Sequence, residues 1–197
     1  MSDYKTILGI VSIVVALASY SIYLRGIYKG QTKPHAFSWL IWGVLEAIGF
    51  AAQVYGHAGP GSYATAATAI ICFTTAGIGF WKGEIKFVRF DWISLGGAFL
   101  AIALWLITKN PFYSVILITL ADTIGFLPTY RKSYHLPFSE PLITYGLSSL
   151  KEGLALIALS SFTFITAFYI GEVAIANLVF IAMVLIRRKQ LQKISHA

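Results

Sequence analysis

Seven runs of apolar residues, each about 20 residues long and separated by short links, limit what this chain can become. They are read as Thr6–Tyr23, Ala36–Tyr55, Ser62–Trp81, Trp92–Thr108, Phe112–Tyr130, Pro141–Ser160 and Thr163–Ile186. Crossing the hydrocarbon core of a bilayer takes about 20 residues. Only 12% of the chain is charged and 57% is hydrophobic, against about 25% charged in a soluble domain. A single small core cannot bury that much apolar surface, so lipid is the expected solvent. The fourth run is the shortest. The sixth and seventh need a tight turn around Ser161-Phe162. No link is long enough to form a soluble domain, and no small-residue cleavage site follows the first run, so it is expected to be a retained span. Cys72 is the lone cysteine, which rules out an intramolecular disulfide.

The net charge is +7. In a soluble protein this would suggest nucleic acid; here its placement suggests orientation, and no nucleic-acid partner is expected. With seven spans, one side receives Arg25, Lys29, Lys33, Lys82, Lys86, Arg89, Arg131, Lys132, Arg187, Arg188, Lys189 and Lys193. The other side receives Lys5 and Lys109, while Lys151 lies inside a span. Cytoplasmic links carry the excess of Lys and Arg. The expectation is a multi-pass integral membrane protein, N-terminus outside and C-terminus cytoplasmic.

One stretch occurs twice. Leu24–Gly43 and Leu127–Gly146 share, at an offset of 103 residues, Leu24/Leu127, Lys29/Lys132, Pro34/Pro137 and Gly43/Gly146, with Trp42 opposite Tyr145. In each copy an apolar helix is expected to end in a basic turn, with a proline before the next helix. Three spans surround each copy. The chain therefore divides as 3+1+3: residues 1–89 as a first three-helix repeat, 90–110 as a linker helix with Gly96-Gly97 near its start, and 111–197 as a second repeat with a basic tail. An odd number of intervening spans makes the repeats parallel, related by an axis along the membrane normal.

This layout resembles the PQ-loop superfamily, which includes the SWEET sugar transporters, PnuC-type vitamin transporters and KDEL receptors. In the second copy Pro128-Thr129, Arg131-Lys132 and Ser139 resemble that family's Pro-Gln, basic turn and serine. In the first copy only Lys29, Lys33 and Ser38 fit, and neither copy has the glutamine. The resemblance implies a hinge role for Pro128, the alternative being a helix terminator. It also implies a polar substrate contact on each repeat's third helix, at Asn177 and, more weakly, its counterpart Thr74; an interhelical hydrogen bond is the structural alternative for such residues.

The residues able to carry chemistry are the polar ones inside lipid. Glu46, Asp122, Lys151, Glu152 and Glu172 lie well within spans. A charge at mid-membrane costs about 2.5–3.5 kcal/mol on insertion scales and by default marks a cavity, a proton path or a substrate site. The structural alternative is buried ion pairs that lock helices together. Glu46 and Glu152 sit on equivalent helices, one turn out of register. Lys151 and Glu152 point about 100° apart on a helix, so Lys151 is expected to pair with Asp122 or Glu172 on another helix, and these residues are candidates for proton coupling. Trp42 lies at i, i+4 from Glu46 and is placed either to stack on a substrate ring or to pack. Thr68, Cys72 and Thr75 are candidates for lining a cavity. Trp39, Trp81, Trp92 and Tyr130 read as interface anchors, and His35 and His135 as headgroup contacts. No cluster has metal-ligand spacing, no cofactor motif is present, and Ser148-Ser149 beside Lys151 lacks an oxyanion hole, so no enzyme is expected. The lysine that attaches retinal in rhodopsins has no counterpart in the last span.

These features suggest a secondary transporter of a small polar solute (a sugar, amino acid or vitamin-like molecule). A ligand-binding receptor of the KDEL-receptor type is the alternative. Membrane lipid surrounds either, and a homo-oligomer is left open.

Overall fold

The computed structural model describes residues 3–30, 34–82, 85, 89–138 and 140–195. Lys33, Lys86 and Ser139, each given a place in the sequence reading, fall outside the described residues, as does the Lys193 side chain. The described chain is helical, with no strand. Its helices are α1 (Asp3–Tyr28), α2 (Ala36–Tyr55), α3 (Tyr63–Lys82), α4 (Arg89–Thr108), α5 (Phe112–His135), α6 (Leu142–Ala158) and α7 (Phe164–Ser195), with a 3₁₀ turn at Gly59–Ser62. Six are long and apolar enough to cross a membrane; α6, with 17 residues, falls just short of that length.

The helices run alternately up and down. Lys5 Nζ near the start of α1 donates to Leu159 O just past α6, at 2.6 Å. At the same end, Ser160 N–H donates to Ala58 O at 2.8 Å, and Phe112 at the start of α5 lies 4.9 Å from Phe164 at the start of α7. The opposite end gathers most of the described basic residues, and there Arg188 Nε donates to Pro137 O at 2.8 Å. The start of α1 and the end of α7 thus lie at opposite ends, called here the N-end and the C-end.

Within the first half, α3 packs against both α1 and α2; within the second, α7 packs against both α5 and α6. The halves meet where α1 packs on α6 and α2 on α5, and α4 lies along α5 and α2. These contacts close a ring of six helices with α4 outside it.

Small residues allow this close approach. Ala36, Ala52, Ala64, Ala101, Ala155 and Ala158 are fully buried. A Cβ on Gly79 would fall 2.9 Å from Ala36 Cα. Ser94 Oγ donates to Ala121 O (3.0 Å) and Ser114 Oγ to Ala101 O (2.7 Å), stitching α4 to α5 at two levels. Such bonds average about 0.6 kcal/mol in a membrane bundle. Large apolar side chains point outward: Ile7, Val14, Leu17, Ile70, Phe99, Leu106 and Ile175 are all exposed. An apolar outer surface around an apolar core is what a lipid-facing bundle requires.

One local expectation is corrected. Pro128 does not terminate its helix: α5 runs on through Arg131 and Lys132 to His135, so these basic residues sit on helix rather than in a turn. Proline is tolerated there because neighbouring helices can satisfy the freed carbonyl in lipid. His35 is the N-cap of α2, its Nδ1 accepting from Ser38 N–H at 3.3 Å.

Candidate functional site

One stripe of α2 organises the interior. Trp42, Glu46, Gly49 and Gln53 recur at spacings of four, three and four, so they share a face. Gly49 has no side chain because the Tyr169 ring of α7 occupies that space: a Cβ would lie 2.8 Å from Tyr169 Cδ1 and 3.4 Å from Ile118 Cδ1. Gln53 Nε2 donates to Thr166 O at the start of α7, at 3.4 Å. This face of α2 therefore looks across at the second half.

Trp42 and Gly125 of α5 are neighbours, since a Cβ on Gly125 would lie 3.9 Å from Trp42 Nε1. From that contact Glu46 is four residues on toward the N-end, roughly 6 Å along the axis, and Asp122 is three residues back along the antiparallel α5, roughly 4.5 Å toward the same end. The two carboxylates thus stand at nearly the same depth on facing helices. Glu46, Asp122, Glu152 and Lys151 all lie within electrostatic range of one another.

Lys151 and Glu152 are both buried, at 6% and 1% exposure. They bond to each other, which corrects the expectation of a partner on another helix. The 100° separation holds for the Cβ directions, but the four-carbon lysine stem can swing its ammonium back across the helix surface. The ammonium also donates to Thr68 Oγ1 of α3 at 2.8 Å, tying the two halves together. Cys72, one turn from Thr68, is buried as well.

Glu46 Oε2, Glu152 Oε2 and Glu172 Oε2 are buried and have no hydrogen-bond partner. Glu46 is 6% exposed, so this is an ionisable oxygen shut away from water. An orphaned group of this kind calls for an explanation, because desolvating it without a partner costs about 1–3 kcal/mol or more. The half-buried Glu172 accepts from Thr123 Oγ1 of α5 at 2.8 Å, in the groove between α5 and α7 and within range of Asp122.

The two residues proposed on the third helices of the halves lie differently. Asn177 is buried on α7, but its Nδ2 donates to Val173 O of its own helix at 2.7 Å. Thr74 is exposed on the outer surface of α3, bonded to Ile70 O at 2.7 Å, and is not brought to the cluster. Its neighbour Thr75 is the inward residue; its hydroxyl meets Tyr20 Oη of α1 at 2.7 Å.

Toward the C-end the interior is aromatic. Trp42 meets Trp39 edge-on at 5.5 Å, and Trp39 meets Tyr23 of α1 at 5.0 Å and donates to its hydroxyl at 3.1 Å. Trp39 is therefore an interior contact rather than only an interface anchor. In the second half Phe126, Tyr145 and Phe180 form the matching cluster, with Tyr145 and Phe180 4.3 Å apart.

Gln53, Tyr169 and Asp91 were missed in the sequence. Asp91, at the start of α4, is buried and accepts from Ser38 Oγ at 2.8 Å. Gln53 had a usable signal, as a polar residue on the Glu46 face of an apolar span; Tyr169 had none.

Comparison with family models, with characterised proteins and with solved structures returned no match. The site's own chemistry is therefore the only guide to function.

Proposed function

We propose that this chain is a membrane transporter that moves a small polar solute between its two halves by alternating access. The observation that carries the reading is the set of unpartnered, buried carboxylate oxygens on Glu46 and Glu152, at the level where the halves meet. A bilayer interior does not hold such groups for stability alone. The 3+1+3 description is part of the proposal. In its favour, each half places its third helix against the other two, and each half's first helix packs on the other half's second. That exchange is what a two-fold axis along the membrane normal would produce, with α4 as the connecting span. In the cell the basic C-end faces the cytoplasm, by the asymmetry of Lys and Arg. The PQ-loop likeness belongs to the same proposal. Glu46, Asp122 and Glu152 would bind the solute or carry a coupled proton, Lys151 would hold Glu152, Pro128 would let α5 flex, and Asn177 would be released from its own helix to meet the solute.

The test is uptake into proteoliposomes from a panel of small solutes, with and without an inward proton gradient, comparing wild type with Glu46→Gln. Saturable uptake of one solute, lost in the variant, is expected. Binding without flux, in vesicles where a control transporter works, would overturn transport and leave a receptor.

A further inference from the structure

The charge balance of the interior points to the chemical class of the solute, an inference that rests on the transport reading only for the word solute. Four acidic residues lie deep within the spans, away from the helix ends: Glu46, Asp122, Glu152 and Glu172. Among the described residues the one cation at that depth is Lys151, and it is held by Glu152 and Thr68. Among the described residues no lysine, arginine or histidine comes within ion-pair distance of Glu46, Asp122 or Glu172. Where these carboxyls are ionised, the compensating positive charge comes from outside the chain, as a proton or as a bound cation.

The size of that charge is constrained too. No three His, Cys, Asp or Glu side chains among the described residues converge closely enough to hold a metal ion. Metal coordination needs several oxygens within about 2.0–2.6 Å of one point. The carboxylates are spread over α2, α5, α6 and α7 instead, which suits a cation with some length. Glu46 Oε2 lacks a donor while the residue is 6% exposed, so the cation should bring N–H groups and not only charge. One turn toward the C-end, the Trp42 ring lies at the same contact between α2 and α5. Aromatic faces attract both hydrocarbon and ammonium.

We infer that this site takes an organic ammonium ion bearing N–H donors, a primary or secondary amine, with its charged end between Glu46 and Asp122 and its hydrocarbon body along Trp42. A quaternary ammonium offers charge without donors and fits less well. A sugar offers donors without charge and leaves any ionised carboxylate uncompensated.

The experiment is equilibrium binding of radiolabelled putrescine to the purified full-length protein in detergent, with unlabelled ethylamine, choline, glucose and magnesium chloride as competitors. Saturable binding is expected, displaced by ethylamine, with glucose and magnesium inert and choline weaker. Glu46→Gln and Asp122→Asn, on separate helices, should each weaken it by about tenfold or more, the scale of one lost hydrogen bond to a charged group. Each variant is first checked for an unchanged elution profile; the one that folds carries the test. No saturable putrescine binding, displacement by glucose or magnesium, choline equal to ethylamine, or affinity unchanged in both variants would each overturn the inference. Binding without flux leaves the amine site standing and removes the transporter. Flux of a neutral solute with no amine binding does the reverse.

Discussion

The Lys151–Glu152 pair gives a sharp energetic test. Lys151→Met keeps the length and volume of the side chain but removes its charge. Glu152, at 1% exposure, then has no cation partner. Thr68 loses the donor that ties α3 to α6, and the other acids lose the one cation in their midst. Breaking a buried pair from one side costs about 3–5 kcal/mol. At roughly 2–4 °C per kcal/mol for a chain of this size, the melting temperature should fall by about 6–20 °C. Glu152→Gln is a different case. Its amide oxygen still accepts from the ammonium, which also keeps Thr68 and the nearby Glu46 carboxylate, so the cost should be about 1 kcal/mol. Lys151→Met with Glu152→Gln removes both charges, and replacing a whole buried pair is often close to neutral. The double variant should therefore melt well above the single Lys151→Met, with a coupling of about 4–6 kcal/mol between the sites. Intrinsic fluorescence melts of the detergent-solubilised protein measure all three. A Lys151→Met protein as stable as wild type would refute the reasoning. A double variant no better than that single would show that the lysine stem, not its charge, matters.

Three shorter predictions concern the frame around the site. Gly59 has φ +60°, and a Cβ there would fall 2.3 Å from Ser160 Oγ, so Gly59→Ala should lower stability by about 1–3 kcal/mol in the same melts. Pro128→Ala restores a backbone donor within α5 and should leave the melt equal or higher; if Pro128 is a hinge, uptake falls while binding is kept. His35→Ala removes the side-chain cap of α2 and a hydrogen bond to Ser38, and should cost about 1 kcal/mol.

Much of the frame was legible from hydropathy alone. The second span, read as Ala36–Tyr55, has those same bounds in the structure, because Pro34 precedes it and Gly56 follows. The fifth was cut short at Tyr130: basic residues and a proline look like a helix end, yet in lipid the chain gains by staying helical. Depth was legible as well, since an acid in an apolar run is visible by eye. Which acids face one another was not. Glu46 and Asp122 come to one level through the contact of Trp42 with Gly125, a tertiary event with no signature along the chain. Lys151 was misassigned because Cβ directions were used to place the end of a long, flexible side chain. Thr74 was named by its offset of 103 from Asn177, and one residue of drift moves a side chain to the other face of its helix.

The seam at the N-end has a mechanical meaning. There the turn after α2 and the turn after α6 are joined main chain to main chain, Ser160 N–H to Ala58 O. Gly61 leaves no room either, since a Cβ would lie 2.8 Å from Ala155 O. If the halves rock as proposed, this seam is the fulcrum in the conformation described. With lever arms of roughly 25–30 Å in α6 and α2, a small tilt at the seam is magnified at the far end, between the Tyr23–Trp39–Trp42 column and the Phe126–Tyr145–Phe180 cluster. The first opening stroke from this state would therefore be toward the basic end, and release toward the other would require the glycine seam to part.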